Sequence, residues 1–401
     1  PLLGALAAAA GARARGPARL LFGSCNHAEL EQPLWPHVLE RRPDAWVWGG
    51  DAVYGDRLVS FGLLPPKPIF EPADEARLRE LYAAQRREPG YAQLLNSSAR
   101  IPGTWDDHDY GENDGDRSFP HRRASQAAFL DFLGEEARSP RRQQEGVYAS
   151  HLLEFDGGSV LVVLLDMRYH KDPYGTADGD FLGGEQWRWL ERGLAESAAR
   201  VNVVVSSLQL LEPRQSLGEC WARFPRARER LLRLLTGGNL SAPVVVSGDV
   251  HFAELSAATC AGAGGRLLEV TTSGTTHSWG TRPPNTDNAL TAGVMAAAMK
   301  LGQRFLPWRY QLRDERTGAP QHYLGLNFGE LEVDWERQQL TVRIIGLGGQ
   351  AQLQQVFPLA ELDMRGSGGE VRCAPAQGQT PAAWHGHAVL AAFAASLLAG
   401  A

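Results

Sequence analysis

Six short apolar runs, rich in β-branched residues and closed by turn residues, constrain this 401-residue chain more than any other feature. They are ARLLFGS (18–24), AWVWGGD (45–51), SVLVVLLD (159–166), VNVVVSS (201–207), PVVVSGD (243–249) and LLEVTTS (267–273). Runs of this length and composition read as buried strands. Between them lie amphipathic stretches with helical spacing at 73–85, 122–133, 185–199 and 226–235. Near the end, LNFGELEVDW and LTVRIIGLG alternate in hydrophobicity across a polar turn and predict a hairpin. Strands alternating with helices, then antiparallel strands, predict sheets packed between helices. No internal repeat emerges. The linker-like segments are LPPKP (64–68) and the stretch after Asp363, while RLVSFGLLPPKPIF carries no pattern from which a conformation can be read.

The polar residues fall at the ends of these runs. FGSCNH ends in Cys25, WGGDAVYGD carries Asp51 and Tyr54, LLDMRYH carries Asp166 and Arg168, and VSGDVH carries Asp249 and His251. In open α/β sheets, ligands bind outside the carboxyl ends of the strands. One aspartate after a strand is ordinarily a turn or cap residue. Four strand ends with ligand-capable side chains point instead to a shared rim. A further segment, TWDDHDYGEND (104–114), puts four aspartates, one glutamate and one histidine into eleven positions. A solvated acidic face is the ordinary meaning of such a run. Here Trp105 and Tyr110 sit inside it, and carboxylates packed against aromatics need a counter-charge. A bound cation would supply one.

Composition narrows the classes. With 43% apolar and 21% charged residues, the chain has ample material for a globular core. A net charge of -6 gives no basic footprint, so tight nucleic-acid binding is not expected. The opening PLLGALAAAAGARARGP lacks an initiating Met and reads either as the remains of a signal segment or as a low-complexity alanine tract. The apolar end from Ala388 to Ala401 is shorter than the ~20 residues of a spanning helix. Following the polar stretch from Gly366 to His387, it has the proportions of a lipid-anchor signal, with a disordered tail as the alternative. Together the ends predict a secreted, extracellular or membrane-anchored protein, with any membrane attachment through the C-terminal tail. Of Cys25, Cys220, Cys260 and Cys373, one pair can form a disulfide in an exported chain, and the sequence does not choose it.

Taken in order, GSCN, WGGDAVYGD, TWDDHDYG, LLDMRYH and SGDVHFAEL resemble the PhoD-type alkaline phosphatases and phosphodiesterases of the calcineurin-like metallophosphoesterase superfamily. The resemblance runs from about Arg19 to about Leu347, and its most specific pieces are DDHD and GDVH. It implies an α/β fold, a four-layer α/β/β/α sandwich of the metallo-dependent phosphatase type, with a multi-metal site at the strand ends. It further implies Fe3+ with Ca2+ partners in a dinuclear or larger site, other divalent metals being alternatives. The implied activity is hydrolysis of small phosphate monoesters or diesters by metal-activated water. The implied organisation is a signal remnant over 1–18, a catalytic domain over 19–363, and a polar linker with an apolar tail over 364–401. Many members carry an N-terminal β-sandwich ahead of the metal core; here the first metal motif comes almost at once, so that domain is absent or the sequence is truncated.

The chemistry of the residues agrees with these roles. Cys25, Tyr54 and His251 offer sulfur, phenolate and imidazole donors that suit a transition metal. Asp107 and Asp249 offer oxygens, which suit calcium, and Asp51 is the natural bridge. Each has a plainer reading: Cys25 as a small buried hydrophobe, Tyr54 as core filling, His251 as a satisfied core histidine. In an extended strand end, His251 would share a face with Asp249 two positions before it. His108, flanked by carboxylates, is the candidate for stabilising phosphoryl oxygens or protonating the leaving group. Arg168 is expected to hold phosphate through a forked contact, or else to pair with Asp166. Asn26, Gln209 and His277, with Trp279 nearby, are the expected substrate contacts. One of Asp106 and Asp109 is expected to orient a neighbour, and Glu112, Asn113 and Asp114 are either further calcium donors or solvent-exposed.

Two other classes compete. A metal-binding or sensor protein of the same fold, without turnover, predicts damage at His108 or Arg168, and both are present. A serine hydrolase requires a nucleophile elbow, and SGTTHS lacks its Gly-x-Ser-x-Gly form.

Overall fold

The valines of the predicted strands divide between two faces with the period of two that a pleated strand imposes. In β8 (Val201–Val205), Val201, Val203 and Val205 enter one core while Val204 enters another. The same split occurs in β7 (Gly158–Leu164), where Val160, Val162 and Leu164 face one way and Val163 the other. Each of these side chains is essentially excluded from water, worth ~1.5–3 kcal/mol apiece. A chain apolar on both strand faces must be covered on both, and that requirement sets the layering.

The computed structural model describes residues 16–61, 68–213, 218–238, 240–261, 265–281, 310–314, 316–365 and 372–376, with the isolated positions 293 and 297. Two sheets lie face to face. The first has six strands in the order β15-β14-β13-β1-β2-β5, with β1 (Ala18–Gly23), β2 (Ala45–Gly49) and β5 (Gly103–Thr104) parallel. Its antiparallel half is β13 (Asn327–Asp334), β14 (Gln339–Gly346) and β15 (Ala351–Pro358). The second has eight strands, with β7, β8, β9 (Pro243–Ser247) and β11 (Arg266–Thr271) parallel to one another. It is edged by β6 (Ala149–Phe155) on one side and by β10 (Ala253–Ala261) with β12 (His322–Tyr323) on the other.

The facing surfaces make the central core, where Leu20, Phe22 and Val47 meet Val162, Val203 and Val246. Outside the six-stranded sheet, Trp46 and Trp48 pack under α1 (Trp35–Glu40), α2 (Glu75–Arg87), α3 (Pro89–Leu95) and α5 (Arg122–Phe132). Outside the eight-stranded sheet lie α6 (Gly183–Ala195) and α7 (Pro225–Thr236). The result is the four-layer α/β/β/α sandwich.

Two segments differ from the sequence expectations. RLVSFGLLPPKPIF contains an antiparallel pair, β3 (Arg57–Phe61) and β4 (Pro68–Glu71), that joins neither large sheet. An irregular register between Leu58 and Ser60 breaks the alternation that would have revealed it. The stretch after Asp363 contains a strand, β16 (Arg372–Pro375), paired with β10 and tied to it by a Cys260–Cys373 disulfide at facing positions. Cys25 and Cys220 are free thiols. Residues 64–67 of the first linker-like segment, the opening alanine tract to residue 15 and the apolar end from 388 lie outside the described residues. Among those described, no helix is long and apolar enough to cross a membrane.

Candidate metal centre

Each of β1, β2 and β9 stops two residues before a candidate ligand, because the backbone there turns left-handed. Cys25 (φ 55°), Asp51 (φ 48°), Asp249 (φ 68°) and His251 (φ 55°) all occupy a region that non-glycine residues enter rarely. Such positions cost about 1–3 kcal/mol each and persist where surrounding contacts impose them. Here Asn26 N–H donates to the Asp51 carbonyl at 2.7 Å, and His251 N–H donates to Ser273 Oγ at 2.7 Å. Gly50 (φ 114°) makes the neighbouring approach: a Cβ there would lie 2.8 Å from the Asp106 Cβ. The expectation that Asp249 and His251 share a face of an extended strand is therefore corrected. Val250 N–H closes a tight turn on the Gly248 carbonyl at 2.9 Å, and it is this turn that displays both side chains.

One half of the centre surrounds Cys25. Its thiol lies 3.6 Å from Asp51 Oδ2 and 2.9 Å from Ser273 Oγ, and Tyr54 OH lies 3.4 Å from the same Asp51 oxygen. His277 Nε2 meets Tyr54 OH at 3.0 Å, and the His251 ring lies 4.6 Å from that of His277. Burial, then the Asp51 carboxylate, pushes the Cys25 thiol well up. Burial, then Cys25, does the same to the Tyr54 phenol. Burial, helped by His108, brings His251 down to about 3. Asp51 is raised mainly by burial, with His108 opposing and Asp107 adding to the rise. Burial thus favours the uncharged thiol, phenol and imidazole, and a cation would favour thiolate and phenolate while leaving the imidazole neutral.

The other half is the acidic run. Asp107 opens α4 (Asp107–Tyr110) and is common to three groups whose ligand atoms lie within 4.8 Å of one another: Asp51 with Asp107 and His108, Asp106 with Asp107 and Asp249, and Asp107 with Asp114 and Glu219. Burial would raise the Asp107 carboxyl, but His108 and Arg168 hold it down to about 2. Asp109 is the orienting residue of the run, accepting Ala52 N–H at 3.0 Å, Val53 N–H at 3.2 Å and Tyr82 OH at 3.0 Å. Asp114 N–H donates to Asp107 Oδ2 at 2.8 Å, and Glu112 and Asn113 line a cavity of about 410 Å³ beside it. His108 Nδ1 lies 2.6 Å from Asp56 Oδ1, and its ring stacks 4.0 Å from that of Tyr54. Burial disfavours a charged His108, yet Asp107, Asp56 and Asp51 together raise its proton affinity well above the ordinary value.

Arg168 differs from both expectations for it. It is fully buried and neither faces an open phosphate pocket nor pairs its guanidinium with Asp166. Its Nη2 meets Asp106 Oδ1 at 2.5 Å and its Nη1 meets Glu219 Oε2 at 2.6 Å, so both arms of the fork are occupied by carboxylates of the protein. Asp166 instead accepts the backbone N–H groups of Val147, Arg168 and Tyr169, the work of a turn residue. Gln209 is also turned inward, its amide donating to Thr271 Oγ1 at 3.0 Å. Asn26 donates to the Ala52 carbonyl at 3.1 Å and to Gln85 Oε1 at 2.7 Å, and Trp279 Nε1 donates to the Val250 carbonyl at 2.8 Å. Asp56, Glu219 and Ser273 enter the centre without having been singled out. Asp56 stood inside a quoted motif and Ser273 closed the strand run LLEVTTS; Glu219 stands beside no motif that would mark it.

The residues fit metal ions. Buried His251 Nδ1, Asp106 Oδ2, Asp56 Oδ2 and Asn26 Oδ1 have no hydrogen-bond partner, although buried polar atoms are nearly always paired. Cys25 and Tyr54 bring sulfur and phenol to one oxygen of Asp51, while the groups that share Asp107 are carboxylates with the single imidazole of His108. The larger cavity of about 790 Å³, between β6 and α6, is lined by none of these groups.

The sequence model of the PhoD-like phosphatase family matches residues 20–301. Alkaline phosphatase D of Bacillus subtilis (strain 168) is 27% identical over 267 residues, which is 57% of this chain and 45% of that protein, so the chain spans about half the length of this relative. A solved structure of PhoD superposes with a TM-score of 0.63 at 17% identity, covering 97% of this chain and 78% of that one, and shares the fold. A purple acid phosphatase from yellow lupin seeds aligns with a TM-score of 0.49 at 12% identity, over 85% of this chain and 53% of that one.

Proposed function

The chain belongs to the PhoD-like phosphatase family, and on that premise we propose that it hydrolyses phosphate monoesters, diesters or both with metal ions at its strand ends. The observation that carries this reading is the setting of Asp51. One of its oxygens faces Cys25 and Tyr54, and the other faces the backbone N–H of His108, next to Asp107, at 3.4 Å. A carboxylate so placed suits a bridge between two unlike ions. Cys25, Tyr54, His251 and Asp51 would hold one, and their donor types favour ferric iron. Asp107, Asp249 and Asp51 would hold calcium, with Asp106, Asp114 and Glu219 in reach. Such ions polarise phosphoryl oxygens, activate water and offset charge in the transition state.

The protein groups then have defined tasks. Asp56 fixes the His108 ring through Nδ1, leaving the other nitrogen to protonate the leaving-group oxygen. Arg168 braces Asp106 and Glu219 so that Asp107 keeps its place. His277 orients the Tyr54 hydroxyl. Export is part of the same proposal, and the Cys260–Cys373 disulfide supports it, since such bonds persist in oxidising compartments. Metal analysis of the purified protein, with mono- and diester assays before and after chelation, tests the reading. Iron and calcium with chelator-sensitive turnover is expected. Full turnover in metal-free protein would overturn it.

A further inference from the structure

The ion-binding half of the site accounts for a phosphate group and leaves the organic part of the ester unassigned. The β3–β4 ribbon supplies a candidate for it. A two-stranded ribbon is marginal by itself, so its position depends on its roots, and both roots are in the centre. Asp56, the residue before β3, holds His108 Nδ1 at 2.6 Å, and Phe70 on β4 packs with its ring 5.8 Å from that of His108. Beyond β4, Ala73 N–H donates to the Gly111 carbonyl at 2.7 Å. Leu58 and Phe70 face each other across the ribbon, and both are half-buried. The opposite face carries Val59 and Ile69, 57% and 48% exposed, so the ribbon is apolar on both sides.

A proton donor fixes where the leaving group must lie. If His108 protonates the leaving oxygen, the carbon attached to that oxygen sits on the His108 side of the phosphorus, where Phe70 stands. From Phe70 a cavity of about 410 Å³ continues past Tyr174 to Glu112, Asp114 and Asp116. Lys171 also lines it, but its ammonium is 3.2 Å from Glu219 Oε1 and donates to the Asp114 carbonyl at 2.6 Å. Phe70 and Tyr174 thus line the cavity together with Glu112, Asp114 and Asp116.

We propose that Phe70 is a specificity-determining residue, and that this cavity receives the leaving group of a phosphate ester whose organic part is apolar and carries no negative charge. The inference rests on the phosphoesterase reading and adds the substrate class to it. An aryl or alkyl group gains contact with Phe70 and Tyr174, while an anionic group would be desolvated against Glu112 and Asp116, and Lys171, the lining cation among the described residues, is already engaged by Glu219.

Three monoesters separate the determinants: phenyl phosphate, 4-carboxyphenyl phosphate and glycerol phosphate. Wild type is expected to prefer the phenyl ester. Phe70→Ala should lower kcat/KM for that ester by roughly 10-fold, mainly through KM, while the glycerol ester stays within about 2-fold. Phe70→Leu, which keeps an apolar side chain, should recover most of the loss. Glu112→Gln should improve the carboxylated ester relative to the phenyl ester by roughly 3-fold. Equal losses on all three esters, or none, would overturn the proposal. Calorimetric titration of metal-loaded protein with phenylphosphonate and with inorganic phosphate adds an arm without turnover. Phenylphosphonate is expected to bind more tightly, with the preference lost in Phe70→Ala. Equal affinity in wild type overturns the inference whether or not any ester is hydrolysed. Tighter phenylphosphonate binding with no turnover of any ester would instead overturn the phosphoesterase reading and leave the pocket standing.

Discussion

The two halves of the candidate centre handle buried charge in opposite ways. Around Cys25 burial favours neutral thiol, phenol and imidazole. Around Asp106 the protein brings its own positive charge: Arg168 reaches Asp106 and Glu219, and Lys171 reaches Glu219 again. The first half relies on burial to keep its donors uncharged, whereas the second is already partly neutralised by Arg168 and Lys171. Asp51 stands on the boundary, and its loss should be felt on both sides.

The largest effect is therefore expected at that boundary. Asp51→Asn should abolish activity and reduce the content of both metals. Near-normal turnover with full metal content in this variant would dissolve the distinction between the halves. His108→Ala should leave the metals in place and cut turnover by roughly 10² to 10⁴-fold, the range for losing a general acid. Metal lost together with activity would make His108 a ligand. Asp56→Asn acts on the same ring at one remove, so a loss of roughly 10 to 100-fold is expected, with metals retained. An effect as large as that of His108→Ala would mean that Asp56 does more than orient.

A smaller change in rate, read chiefly as colour, sharpens the contrast of donors. If Cys25 and Tyr54 bind ferric iron, charge transfer from thiolate and phenolate should give visible absorption. Tyr54→Phe and Cys25→Ser should each shift or bleach that band, while Asp107→Asn should leave its position nearly unchanged. A spectrum indifferent to Cys25 and Tyr54, or an active colourless protein containing zinc, would show the donors to be wrongly divided.

The smallest expected effect lies outside the centre and serves as its control. Glu254, like Asp51, is a buried carboxyl raised chiefly by burial, here to about 7, but its hydrogen-bond partners are Ser256 and Gln311, and it belongs to none of the candidate metal-ligand groups among the described residues. Its folded-state pKa exceeds the unfolded one, so the neutral acid's stabilisation is fully present below about pH 4.5 and is lost as pH rises through about 7. Against Glu254→Gln, the wild type should lose on the order of 1–3 kcal/mol between those limits and nothing further above them. Thermal melts of both proteins at pH 5 and pH 8 measure the difference. Parallel curves would mean that Glu254 is ionised throughout, with activity unaffected in either case.

What could be read from the sequence follows from how local each feature is. Strands such as PVVVS and VNVVV announce themselves because a strand buried on both faces must be apolar at every position. Cys25, Asp51, Asp107, Asp249 and His251 were visible because each follows a strand or lies in a dense acidic run, and strand ends are where side chains of different segments converge. The β3–β4 ribbon was hidden by its irregular register, and the strand β16 by a polar, glycine-rich surrounding.

Other properties depend on contacts between distant segments, and no single segment encodes them. Glu219 reaches Arg168 across 51 positions and Asp56 reaches His108 across 52, so neither pairing leaves a local signature. The sequence by itself determined sheets packed between helices, the rim and the kinds of donor on it. Only the tertiary structure decided that Arg168 faces carboxylates and not solvent, that Asp109 orients while Asp107 is shared, and that Asp249 and His251 are displayed by a left-handed turn. The physical reason is that hydrophobic periodicity is written residue by residue, whereas the partner of a buried charge is chosen by whatever the folded layers bring within a few ångströms.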